Sequence, residues 1–455
     1  MASIRKTAPG PLAPVPFNIS RPFRTKLANG FRVVVFSDDR VPLVSYRLAF
    51  FRGDAHDSID NIGLTSAMTS MLTEGTENYS SRELAEKIER LGAGLSTNAS
   101  VDFTAFAGSA LSIYGDEILE LMAEVLFRPT FPESELDLYK RNALENLKFQ
   151  RSQPNFLANE QTARILYADH PYAIISPKAA DFEKLERDSL VKFHASAFRP
   201  QNAVLIVVGD VEIEKIMAQI EEEFGDWPAS EVEIPPISEA PPSSKRSLTI
   251  VDRPGSAQAN IVLANIVVPR NHPDYFAIAV MNQVLGAGAS SRVFMNLREE
   301  KGYTYGAYTR FDSKRFAGEF EATAEVRTAV TGDSLKEFFY ELNRIRDEKV
   351  LAEELDDAKN YLTGVFPIRA ETQEGLTGLI VSQLLYDLPE DYLETYRANI
   401  GAITIDEVQR VANAYIHPDE LAIIIVGDAK EILPQVKDYS DKIEVFDTEG
   451  KQKDN

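Results

Sequence analysis

The sequence has no cysteine, five histidines, a single tryptophan and a shortage of cations. Without cysteine, disulfides, thiolate-bound zinc, iron–sulfur clusters and thiol nucleophiles are excluded, although either redox compartment remains compatible. The histidines, at 56, 170, 194, 272 and 417, include no two at i, i+3 or i, i+4, so none forms the paired imidazoles of a helical metal site. Lys and Arg number 48 against 70 Asp and Glu, a formal charge of −22. That deficit excludes a general nucleic-acid binder, which must neutralise phosphates, and docking on anionic membranes. The apolar runs at 203–208 and 421–426 are far too short to cross a bilayer. The first residues, MASIRKTAPGPLAPVPF, lack the apolar core of a secretory signal, and Pro11, Pro14 and Pro16 would break one. The expectation is a cytoplasmic protein, or a periplasmic one if a signal peptide preceded this sequence.

What is present is length and repetition. A chain of 455 residues suggests two to four domains. Between Trp227 and Arg246 lie five prolines and four serines with little hydrophobic period, the composition of an extended connector. The segments on either side look alike. Val208-Gly-Asp210 ends an apolar run, and Val426-Gly-Asp428 ends another 218 residues later (428 − 210). Ser134-Glu-Leu-Asp137 and Glu354-Leu-Asp356 open helical patterns whose leucines, 136 and 355, are 219 apart (355 − 136). Two landmarks with nearly one offset indicate duplication of a domain, since the period is far too long for a solenoid. The expected organisation is an extension at 1–20, a first domain at 21–228, a linker at 229–246 and a second domain at 247–447.

Within each half, β-rich runs such as 31–36 and 43–50 are bounded by turn signals. The runs at 203–208 and 423–426 are continuous and β-branched, as in buried strands. Leu335, Phe338, Leu342 and Ile345 recur at helical spacing. Ser81 opens a helix with Leu84, Ile88 and Leu91 on one face and a stop at Gly92. Strand pairs, then helices, then a late strand give an α+β class: two homologous domains, each a mostly antiparallel β-sheet packed with helices.

In order and spacing, several segments resemble the pitrilysin-type zinc peptidases (inverzincins), in particular the mitochondrial processing peptidase branch. They are Leu27-Ala-Asn-Gly-Phe-Arg-Val-Val-Val35, Leu72-Thr-Glu-Gly-Thr76, His170-Pro-Tyr172, the run from Arg199 to Asp210, Gly286-Ala-Gly-Ala-Ser-Ser-Arg-Val-Phe294 and Leu297-Arg-Glu-Glu-Lys-Gly-Tyr-Thr-Tyr305. The resemblance spans roughly residues 20–430. Active members carry H-x-x-E-H on a helix after Gly-Leu, two imidazoles holding zinc and a glutamate acting as general base. Here that helix reads Gly63-Leu-Thr-Ser-Ala-Met-Thr-Ser-Met71, so Ser66, Thr69 and Ser70 occupy the three positions. The third ligand of the family, a distant glutamate, falls at or beside Asn146, with Glu145 one step round the helix. Serine and threonine hydroxyls are not zinc ligands at neutral pH. No metal is therefore expected in this chain.

Other chemistries fare no better. Ser66 and Ser70 share a helix face, but no His or Lys lies within a turn to activate them. Gly286-Ala-Gly-Ala lacks the G-K-[ST] ending of a phosphate loop. His56, alone in a loop, reads as solvated, and His272-Pro and His417-Pro read as turn chemistry.

The resemblance implies one surviving site. The family uses an Arg and a Tyr seven residues apart, on the second domain of one half of the peptidase, to hold substrate carbonyl oxygens opposite the metal. Arg298 and Tyr305 match that spacing, and a guanidinium and a phenol pre-aimed in a dry chamber stabilise a developing oxyanion. The bland alternative pairs Arg298 with Glu299 or Glu300 and packs Tyr305 within a strand. The expected function is the zinc-free subunit of a heterodimeric metallopeptidase, inactive alone, enclosing a peptide with a zinc-bearing partner of similar fold. The peptide would add as a strand to a sheet edge, with 95–104 and 318–323 as candidate edges. A homodimer of the lone chain is compatible with this. The alternative is a non-catalytic structural or peptide-binding protein of the same fold; a third reading, an active peptidase with unrecognised ligands, requires stoichiometric zinc.

Overall fold

The structure is a computed structural model that describes residues 19, 21–231, 234–242 and 245–453. The expected extension at 1–20 lies almost wholly outside the described residues, as do parts of the linker.

Two six-stranded sheets form the frame. The first contains β1 (Phe23–Lys26), β2 (Arg32–Ser37), β3 (Leu43–Phe50), β4 (Gly94–Ala99), β5 (Thr104–Leu111) and β6 (Ala203–Gly209), in the order β1-β2-β6-β3-β5-β4. The second contains β7 (Ser247–Asp252), β8 (Gln258–Val267), β9 (Thr304–Ser313), β10 (Gly318–Arg327), β11 (Ala422–Gly427) and β12 (Ile443–Phe446), in the order β12-β7-β11-β8-β10-β9. From the second position on, the two orders are the same arrangement twice. β2 runs parallel to β6 as β7 does to β11, and the remaining pairings are antiparallel in both. The outermost strands differ: β1 pairs antiparallel with β2, whereas β12 pairs parallel with β7. The β-branched runs become β6 and β11, wholly buried strands inside each sheet, because apolar strands need neighbours on both edges and cover on both faces.

Each sheet buries one face under helices of its own half. The other face is covered reciprocally. Helix Pro154–Tyr167 places Leu157, Ala158 and Leu166 in one cluster with Val262, Ile424 and Val426 of the second sheet. Helix Gln373–Leu385 places Leu376, Ile380 and Val381 among Val34, Val204 and Ile206 of the first. These helices start 219 residues apart (373 − 154), so each half lends the other the same element. The linker carries no helix or strand among its described residues, and its Ile237 and Ala240 pack on the cluster beneath Pro154–Tyr167.

The other local expectations are met by helices Ser81–Arg90 and Thr331–Asp347. Ser80 and Glu83 form a reciprocal capping box, and Gly92 takes φ +59° just past the end, where a side chain would strain the turn. One edge expectation is corrected. Residues 318–323 lie in β10, hydrogen-bonded to β8 on one side and β9 on the other. The free edges on this side of the two sheets are β4 and β9; residues 95–99 belong to β4, but Thr104 already lies in the interior strand β5.

Candidate functional site

The helix that would carry a metal motif is Leu64–Met71. It begins at Gly63, whose φ of +84° and contact with Pro177 leave no room for a side chain: a Cβ there would sit 2.5 Å from Pro177 Cγ. Its first turn is held by two half-buried carboxyls. Ser66 Oγ donates to both oxygens of Asp54, at 2.9 and 2.7 Å. Asp57 accepts from the Thr65 hydroxyl at 2.5 Å and from the Thr65 backbone N–H at 3.2 Å. Burial pushes the Asp54 carboxyl upward against the hydrogen bond from Ser66. Burial, reinforced by repulsion from Asp54, pushes Asp57 up to about 6 despite Thr65.

The four residues at the family's metal positions do not converge. Ser70 and Asn146 line one cavity of about 460 Å³, between this helix and helix Glu133–Ser152. Ser70 Oγ turns back to the Ser66 carbonyl at 2.8 Å, the local bond that serines make inside helices. Glu145 points elsewhere, into an exposed ion pair with Lys148. Ser66 faces a second cavity of about 490 Å³, bounded by residues 54–63 and 168–177. Thr69 is fully buried and its hydroxyl has no hydrogen-bond partner. Among the described residues, no three His, Asp or Glu side chains stand close enough to share an ion. Hydroxyls committed to a carboxylate and a backbone carbonyl, with an amide across a cavity, do not fit zinc.

Arg298 and Tyr305 lie in the other half and line neither cavity. Arg298 sits in a π-helical turn, Met295–Glu300; its guanidinium reaches Glu299 at 3.0 Å and stacks on Phe294 at 5.0 Å. Tyr305 does not pack within its strand. Thr304 pairs with Val326 and Ala307 with Ala324, so Tyr305 falls in a bulge of the edge strand β9 and is 91% exposed. Bulges re-aim side chains in this way. Here the bulge turns a phenol outward on a free sheet edge.

Two features were not anticipated. His56 is buried, not solvated: its ring meets Phe316 of the other half at 6.0 Å, and burial pushes its imidazole down to about 4. A charged cluster on β9 and β10 lies between the halves. Arg310 pairs with Glu321 at 2.7 Å, and Lys314 pairs with Glu319 at 3.0 Å and Asp312 at 3.1 Å. With Asp54 and Tyr172 these groups line a third cavity of about 260 Å³. The signal in the sequence was the alternation of Glu319 and Glu321 facing Arg310 across the strand pair, a pattern easily taken for a solvated surface.

Comparison with known proteins accounts for both halves. Residues 32–176 match the family model described as "Insulinase (Peptidase family M16)", and residues 184–362 match "Peptidase M16 inactive domain". A relative from Helicobacter pylori, described as "Non-peptidase homolog YmxG", is 24% identical over 88% of this chain and 92% of its own length. The "Uncharacterized zinc protease YmxG" of Bacillus subtilis is 24% identical over 76% of this chain and 83% of its own. The crystal structure of a peptidase M16 inactive domain from Pseudomonas fluorescens superposes with a TM-score of 0.84 at 27% identity, covering 90% of this chain and 98% of that one. With consecutive models of one family matching both halves, and with the duplicated α+β fold, the chain belongs to the peptidase M16 family.

Proposed function

We propose that the chain is the zinc-free subunit of a heterodimeric M16 metallopeptidase, enclosing peptide substrates together with a zinc-bearing partner of the same fold. The observation that carries this reading is the state of the metal positions: Ser66 is tied to Asp54, Ser70 to the Ser66 carbonyl, and Thr69 is sealed in the core. A helix rebuilt in this way serves packing and leaves hydrolysis to another chain. Support for the complementary half comes from Tyr305 and Arg298. Both are exposed on the second half, where a partner rather than this chain would meet them. In that role the guanidinium and the phenol would hold substrate carbonyls and stabilise negative charge developing on the carbonyl oxygen, and the partner's metal would supply the activated water. The free strands β4 and β9 are the edges on which an extended peptide would add.

A second reading, a structural or peptide-binding protein without catalytic partnership, draws support from the Arg298–Glu299 ion pair, which already engages the guanidinium. One experiment separates the two. Each chain is assayed for peptide hydrolysis alone and then mixed with a zinc-bearing M16 subunit. The half-enzyme reading expects turnover only in the mixture. It also expects Arg298→Ala to lower kcat with assembly unchanged. Assembly with no gain in turnover, or full activity of the Arg298→Ala pair, rejects the clamp.

A further inference from the structure

The second cavity, on the Ser66 side of the helix, has a chemistry that neither zinc binding nor the Arg298/Tyr305 clamp uses. It measures about 490 Å³, within the range of small-molecule sites. Most of its wall is apolar, and Ile174 and Ile175 stand at its mouth, 40% and 47% exposed. Its charged groups are all acidic: Asp54, Asp57 and the exposed Asp169, with neither Lys nor Arg in the lining. Burial holds His170, in the same wall, toward its neutral form. The partners of Asp54 and Asp57 are hydroxyls and a backbone N–H, not cations. Arg52 attracts the Asp57 carboxylate without an ion pair, its guanidinium stacked on Phe193 at 4.6 Å, and Arg310 and Lys314, in the neighbouring cavity that Asp54 also lines, are paired with Glu321 and Glu319. Carboxylates beside an apolar cavity and without an ion-pair partner among the described residues are half of a charge-assisted pair.

We propose that this cavity binds a hydrophobic primary amine, its apolar body between Ile62, Val101, Ile174 and Ile175 and its ammonium on Asp54 and Asp57. The ammonium supplies a directly paired positive charge, and its three N–H donors use the second lone pairs of carboxylate oxygens that each already accept one bond from Ser66 or Thr65. The apolar body covers isoleucines now facing solvent. An alcohol of the same shape satisfies the second requirement but not the first, and a carboxylic acid opposes it. The site belongs to the isolated chain and stands or falls independently of any peptidase partner.

The test is titration calorimetry of the full chain with 4-phenylbutylamine, 4-phenylbutanol and 4-phenylbutyrate. The amine should bind saturably at one site, with the alcohol at least tenfold weaker and the acid not bound. Asp57→Asn should weaken the amine at least tenfold and shrink its advantage over the alcohol. Ile175→Trp, at a half-exposed position where folding is not at stake, should block both. Absence of saturable amine binding, equal affinity for amine and alcohol, or unchanged affinity in Ile175→Trp overturns the proposal.

Discussion

The two halves share a sheet order and a helix pair beside it, yet the place where those helices meet has gone in different directions. In the first half, helices Leu64–Met71 and Glu133–Ser152 enclose about 460 Å³ lined by Ser70 and Asn146. In the second, helix Tyr275–Leu285 faces helix Ala352–Glu371 across about 200 Å³, and the wall is closed by an ion pair. Arg292 donates twice to Glu354, at 2.7 Å each, with the arginine side chain only 5% exposed. The second half is locked by an ion pair whose arginine is buried, whereas the first has a polar cleft whose hydroxyls are bonded locally. One fold therefore carries an ion-paired helix crossing in one half and an open polar cleft in the other.

Breaking the lock should have the largest effect. Arg292→Ala leaves the part-exposed Glu354 carboxylate with the Leu351 N–H but no bonded cation and should cost about 3 kcal/mol of stability in urea unfolding. A loss below about 1 kcal/mol would mean the second half does not depend on it. In the first half the same measurement should give Ser66→Ala a cost of roughly 1–3 kcal/mol, because the Asp54 carboxyl loses its hydroxyl donor. Ser70→Ala, which removes only a bond to the chain's own helix, should stay within about 0.5 kcal/mol. Equal costs at 66 and 70 would contradict the separation of the two cavities.

Asp57 sharpens the contrast through pH. Its folded-state pKa is raised to about 6, chiefly by burial and further by Asp54, with Thr65 and Arg52 opposing. Between its ordinary value near 4 and about 6, the folded chain binds more protons than the unfolded one. Stability at this residue therefore falls as pH rises through that window, and the full loss stands above about 6. Asp57→Asn should flatten the curve from pH 4 to 6 relative to the parent chain; parallel curves would place the carboxyl in ordinary solvent. One expected change is a gain. Thr69→Val removes a buried hydroxyl that lacks a partner and should raise stability by about 1 kcal/mol, read as a higher melting temperature.

Much of this architecture is legible in the residues, for identifiable reasons. β6 and β11 announce themselves because a strand buried on all sides must be apolar throughout, and the repeated Val-Gly-Asp marks their ends. The duplication follows from the offsets of 218 and 219 residues between such landmarks. The absence of paired histidines at helical spacing is equally visible, since it depends on residue type alone. The exchange of Pro154–Tyr167 and Gln373–Leu385 is not, because an apolar helix face does not say which sheet will cover it. The interior position of β10 is not legible for a related reason. Glu319 and Glu321 look solvated in sequence, but Arg310 and Lys314 neutralise them across the neighbouring strand pair. His56 is buried against Phe316, which lies 260 positions away (316 − 56) and comes from the other half.

The central claim is that the helix Leu64–Met71 no longer holds a metal. Its most direct test is elemental analysis of the purified, zinc-equilibrated chain alongside a peptide-hydrolysis assay. The account predicts far less than one zinc per chain and no turnover without a partner. One tightly held zinc, with hydrolysis by the lone chain that a chelator abolishes, would contradict it.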